Sequence, residues 1–323
     1  MRLRAMAAVI TGCTVLTSAA LAQAAEPAKA VKVTVLSTML AGDPRGGIGE
    51  WGFAALLEVD GRKLLIDTGA RPETVLRNIE ELGIDLSDVT DLVLTHNHGD
   101  HTNGLVTLRR AFAKKNPRAL SRAHVATGIF QPRPGPGGRE GNGLLPFKAE
   151  YEALGGRFVE HAGPVELMPA VWFTGPVPRP HPERNWTAPG RGQPQAGVRE
   201  DTIPEDASVV VDTPGGLVLV SGCGHAGIVN TMEFARKIVR AAPFVAAIGG
   251  FHLFAASDAT LEWTASKLRE FGLQQLLGAH CTGIEAVYRL RTLVGLTRAT
   301  AVVGAVGSSF TLGKGITALS LAG

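Results

Sequence analysis

The chain has 323 residues, 45% hydrophobic and 19% charged, which excludes a disordered chain, a collagen-like repeat and a cysteine-stapled miniprotein. Thirty-two Lys and Arg face 29 Asp and Glu, a net charge of +3, so there is no electrostatic case for binding nucleic acid or an anionic membrane. The expected partner is a small-molecule substrate.

Residues 1–24 read as an export signal. Met1–Arg4 is a short basic start, Ala5 to Leu21 is apolar or small, and Ala22-Gln23-Ala24 is an A-x-A cleavage signal. The expected mature chain starts at Ala25, contains no further stretch able to span a bilayer, and is periplasmic. Ile10-Thr11-Gly12-Cys13 also resembles a bacterial lipobox, a second route to export. After cleavage only Cys223 and Cys281 remain. Ligands, free thiols and a disulfide are all open for this pair.

Val31–Leu36 alternates and is β-branched, the pattern of a strand. Phe53–Val59 and Lys63–Ile66 flank Asp60-Gly61, a hairpin signal. Pro72 opens a helix that Gly83 ends. Asp91–Thr95 is a short apolar strand running into His96, and Leu105, Leu108 and Phe112 mark one face of the next helix. Gln131–Gly143 and Gly175–Asp206 are rich in Pro or Gly and read as long loops, with short strands between them over Gly156–Val171. Ser208–Asp212 and Leu217–Val220 are strands joined by a turn. A helical stripe follows at Ile228, Met232, Ala235 and Val239. Phe244–Ile248, Leu273–Leu277 and Ala301–Val306 are strands. They are separated by a helix that Ser257 caps and by another bearing Val287, Leu290 and Val294. Strand-rich halves, each followed by helices, predict one α/β domain over residues 25–323, with two sheets face to face and helices outside.

Thr95-His96-Asn97-His98-Gly99-Asp100-His101 places three His and one Asp within six residues at a strand end. Residues i and i+2 of an extended segment point the same way, so His96 and His98 can grip one ion. Asp100 and His101 can reach a second. Imidazole and carboxylate suit zinc, with iron and manganese as alternatives. His225 and His280 also follow strands and precede helices. His225 is expected to complete the first site and His280 the second.

The run resembles the H-x-H-x-D-H signature of the metallo-β-lactamase superfamily, and Asp67-Thr68-Gly69 matches that family's first motif. The resemblance implies an αββα sandwich of two mixed sheets, two divalent metal ions, and Asp67 as support for the metal-binding loop. Phe173–Arg179, Ser221–Gly227, Gly249–Leu253 and His280–Gly283 resemble a subfamily of dihydropterin-ribofuranosylaminobenzene phosphate synthases. Many superfamily members carry a bridging Asp in a Ser/Thr-Gly-Asp sequence. This chain has Ser221-Gly222-Cys223, and Cys223 is either a thiolate ligand or packing.

His252, after the strand Phe244–Ile248, is a candidate substrate contact or proton donor, and Asp100 a candidate catalytic carboxylate. Arg179 and the helix start after His225 could hold an anionic substrate group. His124, His161 and His181 lack a strand-end motif. The expected activity is metal-dependent hydrolysis of an ester, phosphodiester or lactone, by hydroxide that the metal generates near neutral pH. The alternatives are a synthase-type transferase and a metal-bearing binding or sensor protein with little turnover.

Overall fold

A computed structural model describes residues 26–43, 46–134, 138–183 and 202–320. The expected export signal and most of the second long loop lie outside the described residues. The first sheet has the order β15-β14-β1-β2-β3-β4-β5-β6. Its strands are β1 (Val31–Ser37), β2 (Ala54–Val59), β3 (Arg62–Ile66), β4 (Asp91–Val93), β5 (Arg122–Ala126), β6 (Arg157–His161), β14 (Ser309–Thr311) and β15 (Gly315–Thr317). The second sheet has the order β13-β12-β11-β10-β9-β8-β7. It contains β7 (Val165–Met168), β8 (Val171–Phe173), β9 (Ser208–Thr213), β10 (Gly216–Ser221), β11 (Phe244–Gly249), β12 (Leu276–Gly278) and β13 (Ala301–Val303).

Period-2 alternation places each strand's residues in different layers. On β2, Ala55, Leu57 and Val59 face the space between the sheets, while Ala54 and Leu56 face outward. On β10, Val218 and Val220 face inward, and Leu217 and Leu219 face outward. The inter-sheet layer joins Phe53 and Phe310 to Val209, Val211 and Ile248. Helices α1 (Thr74–Glu81), α3 (Leu105–Ala113) and α4 (Leu145–Ala153) cover the first sheet through Ile79, Leu108, Phe112 and Tyr151. Helices α5 (Ile228–Ile238), α6 (Asp258–Glu270) and α7 (Ile284–Val294) cover the second through Met232, Leu261, Leu268 and Leu290. This is the expected αββα sandwich. Truncating one such side chain, as in Leu57→Ala, costs about 2–5 kcal/mol.

The β2–β3 turn follows the sequence signal closely. Asp60 and Gly61 both have positive φ, 48° and 79°, as a two-residue turn with right-handed strand twist requires. Ser257 accepts the Thr260 N–H and caps α6 as expected. Other boundaries move. The strand expected from Leu273 starts at Leu276, because the Leu273 N–H is taken by Leu268 O in the turn that closes α6. Helix α4 falls between the two expected loops, in a stretch with no clear apolar stripe. Its anchor is Tyr151, buried with its hydroxyl donating to Leu120 O at 2.9 Å.

The sheet topology positions the site. β3, β4, β5 and β6 are parallel, as are β10, β11, β12 and β13. The C-terminal ends of parallel strands are where α/β folds open a crevice. Asp67 follows β3, His96 follows β4, Cys223 and His225 follow β10, His252 follows β11, and His280 follows β12. No helix among the described residues is long and apolar enough to cross a membrane.

Candidate metal centre

The segment after β4 turns into a single helical turn, α2 (Gly99–Thr102), with His98 still extended before it. That change of backbone divides the ligands. His96 and His98 leave the extended part, and Asp100 and His101 leave the turn. The His96 ring centroid lies 4.6 Å from His98 and 4.7 Å from His225, and His98 lies 4.9 Å from His225. On the other side, His101 and His280 are 5.0 Å apart by ring centroid, and His280 Nε2 lies 3.3 Å from Asp100 Oδ2. The structure therefore brings together both expected triads.

Cys223 stands between them. Its Sγ can form one donor group with Asp100, His101 and His280 and another with His96 and His225, each with ligand atoms within 4.8 Å of one another. His101 Nε2 lies 3.1 Å from Cys223 Sγ. The Cys223 sulfur stands where a bridging carboxylate would be expected.

The donors suit a metal better than they suit one another. His96 Nε2 is buried and has no hydrogen-bond partner. Burial, followed by the nearby imidazoles of His101, His98, His225 and His280, holds His96 well below the usual histidine range. It is therefore a neutral imidazole with a lone pair directed into a polar cluster, the form that binds metal. Burial works against an ionised Asp100, yet His101 and His280 outweigh it and keep its carboxyl below the usual range. His280 is displaced in the opposite direction, up to about 10, because Cys281 and Asp100 overcome its burial. The Cys223 thiol is pushed up by burial and by adjacent Cys281. A cation between these groups would stabilise the carboxylate and thiolate together.

Asp67 supplies the support. It sits at positive φ, 57°, directly after β3. Its Oδ2 meets His101 Nδ1 at 2.7 Å and the Thr95 hydroxyl at 2.8 Å, while its Oδ1 accepts the Thr95 N–H at 2.8 Å. Holding Nδ1 turns His101 Nε2 toward Cys223 and Asp100. The site also carries backbone strain, since His252 and His280 have φ of 47° and 46°. His252 lies beside the centre, 4.5 Å from His225 by ring centroid, and forms a further donor group with Cys223 and Cys281.

Two groups expected to meet a substrate anion have partners within the chain. The Arg179 guanidinium donates to His225 O at 3.1 Å and Ile203 O at 2.8 Å, and so braces the loop carrying His225. The start of α5 already holds a carboxylate. Glu183 accepts the Asn230 N–H at 2.8 Å and the Val229 N–H at 3.3 Å. The helix N-terminus that could have taken a substrate anion is filled from within the chain.

The loop carrying His225 has two further supports that spacing did not reveal. Asp206 is buried and accepts the Ala226 N–H at 2.9 Å, and Asn230 links His181 to Ala226. Asp206 reaches this loop from the segment before β9, and Asn230 from the first turn of α5. His124 and His161 form a separate pair with Asp91, Nδ1 to Nε2 at 3.0 Å, on β5 and β6. His181 contacts Glu233 at 2.6 Å on the surface.

Comparison with known proteins agrees with this geometry. Residues 52–269 match the family model described as the metallo-beta-lactamase superfamily. The chain is 28% identical over 268 residues to a 7,8-dihydropterin-6-methyl-4-(beta-D-ribofuranosyl)-aminobenzene-5'-phosphate synthase of Methanocaldococcus jannaschii, covering 79% of this chain and 89% of that protein. It is 47% identical over 51 residues to the anti-Pycsar protein Apyc1 of Saccharibacillus brassicae, covering only 16% of this chain and 20% of the other. Among solved structures, it resembles a metal-dependent hydrolase of the beta-lactamase superfamily, Tm1679, with TM-score 0.66 and 25% identity, covering 86% of this chain and 98% of that one. It also shares the fold of YhfI from Bacillus subtilis, with TM-score 0.54 and 13% identity over 87% of this chain and 99% of the other. The matched family and the converging strand-end ligands lead to the same conclusion: the chain belongs to the metallo-β-lactamase superfamily.

Proposed function

We propose that this protein is a metal-dependent hydrolase of an ester, phosphodiester or lactone, acting at a dinuclear centre and exported to the periplasm. The observation that carries the reading is the pair of donor groups, Asp100, His101 and His280 on one side and His96 and His225 on the other, that share the Cys223 sulfur. His96, His98 and His225 would hold one ion and Asp100, His101 and His280 the other. Zinc suits this mixture of imidazole, carboxylate and sulfur. Two bound divalent ions supply Lewis acidity and a nucleophile at neutral pH.

The chain's own groups do the rest. Asp67 fixes the His101 ring, and Arg179 and Asp206 fix the His225 loop. Asp100 stays ionised beside His101 and His280 and orients the reacting water. His252, beside His225, holds a proton at a ring nitrogen for the departing oxygen. No Ser or Cys nucleophile is required.

The resemblance to the Methanocaldococcus synthase over 89% of its length favours a second reading, in which the site joins two substrates. The deciding experiment measures metal content of the mature protein, then screens phosphodiesters, lactones and β-lactams alongside a synthase assay. Metal-dependent turnover of a hydrolysable substrate supports the first reading. Coupling without hydrolysis, or metal without turnover of any kind, overturns it.

A further inference from the structure

Among the described residues, five large apolar side chains are strongly exposed: Trp51, Leu82, Phe254, Ile284 and Tyr288. Single exposed apolar residues are ordinary, but a cluster at a cleft is not. Four of these five belong to one region. Trp51 meets Phe254 edge to face, with ring centroids 5.4 Å apart and planes at 82°. The Trp51 ring is 4.9 Å from His280, and the Phe254 ring is 5.2 Å from His252. Gly283 lies against Phe254, where a Cβ would stand 2.6 Å from the Phe254 Cα. Ile284 and Tyr288 follow it on α7, four residues apart and so on one helical face.

Both aromatics are held by backbone tied to ligand-bearing loops. The Glu50 carboxylate, just before Trp51, accepts from the Ser37 hydroxyl at 2.7 Å and the Ala70 and Arg71 N–H groups at 2.9 and 3.0 Å. A Cβ at Gly52 would stand 2.6 Å from Ala70 N and 2.9 Å from Asp100 O. The Phe53 N–H donates to Asp100 O at 3.2 Å, and the Phe254 N–H donates to Cys281 O at 3.2 Å. The backbone carrying both rings is therefore fixed relative to the ligand-bearing loops. Among the described residues, Arg179 and the α5 N-terminus are engaged by the chain's own carbonyls and carboxylate.

We propose that Trp51 and Phe254, extended by Ile284 and Tyr288, form the recognition wall for an uncharged carboxylic ester or lactone bearing an aromatic or extended apolar group. This rests on the hydrolytic reading above and narrows its substrate class. The apolar group lies across Trp51 and Phe254, and the carbonyl then falls beside His280 and His252. Aromatic contact adds to the burial of the group, and the two together favour a flat ring.

The test uses the full mature protein loaded with zinc, and Trp51→Ala, Trp51→Phe and Phe254→Ala variants checked for metal content and melting. Leu82→Ala, exposed at the end of α1, is the control. The first readout is kcat and KM on a series from methyl to phenyl and naphthyl esters with one common leaving group. The second is binding of a non-hydrolysable naphthyl ketone, which needs no turnover. Expected results are a KM for the naphthyl ester raised roughly tenfold by Trp51→Ala, the size of one aromatic contact with its burial. Trp51→Phe recovers most of this, kcat changes less than KM, and ketone binding weakens in parallel. Ketone binding that depends on Trp51 in a protein hydrolysing no ester, phosphodiester or lactone supports the wall while defeating the hydrolytic reading. Ketone binding and naphthyl-to-methyl selectivity unchanged by both alanine variants would overturn the wall, as would a preference for phosphodiesters indifferent to Trp51.

Discussion

The Cys223 and Cys281 sulfurs lie 3.3 Å apart although 58 positions separate them in the chain. Both are buried free thiols. Their closeness follows from topology, since β10 and β12 lie on either side of β11 and the loops after them meet over Gly250, where a Cβ would stand 2.1 Å from Gly222 O and 2.8 Å from Cys281 Sγ. Two-electron oxidation by a peroxide or an exogenous disulfide would join the sulfurs, releasing two protons and drawing Cys223 away from the ligand groups it shares. Oxidised protein should therefore bind less metal. Thiol titration and metal analysis, with and without reductant, check this. Two titratable thiols with unchanged metal in both samples would reject the coupling.

His96→Ala and His98→Ala should each empty the first metal site and abolish hydrolysis, because each removes one of three protein ligands. Metal analysis alone tests this. Full occupancy in both variants would remove these residues from the ligand set.

Gly222 offers a separate test of the support around His101. A Cβ there would stand 2.2 Å from the Thr95 Oγ1 and 2.4 Å from the Asp67 Oδ2. Gly222→Ala should displace Asp67 and crowd the His101 ring, whose Nδ1 would lie 3.1 Å from the new Cβ, and Asp67→Asn should act in the same direction. Both should lower affinity for the second ion about 10–100-fold and for the first ion less, since Asp67 reaches His96 only through Thr95. Stepwise titration with a chelator resolves the two sites, and equal affinity in variant and parent contradicts the assignment.

Glu183 should leave a mark on stability against pH. Burial raises its pKa from 4.5 to about 7, despite the opposing N–H groups of Asn230 and Val229. Between those values the folded chain keeps a proton that the unfolded chain has released. Its contribution therefore falls as pH rises from about 4.5 to about 7 and stays low above that. At about 1.4 kcal/mol per unit, the change is on the order of 3 kcal/mol. Denaturant unfolding across this range should show a flatter profile for Glu183→Gln than for the parent. Identical profiles would mean that Glu183 ionises normally.

The local patterns were legible because they rest on short-range physics. Alternation on β1, β2 and β10 follows from the two faces of a sheet, and Asp60-Gly61 from a turn that needs positive φ at both residues. The density of His96, His98, Asp100 and His101 after an apolar strand marked a metal site before any fold was known. Helix α4 was not visible, since its burial depends on Tyr151 reaching Leu120 from another segment. The position of Cys223 between the triads needed β10 to lie beside β11 and within reach of the loop after β4. The engagement of Arg179 and Glu183 likewise depended on how the loop from β8 passes over α5. Spacing along a chain reports which groups one segment presents. Which groups from other segments meet them depends on sheet order and loop path, and those are settled by packing across the whole domain.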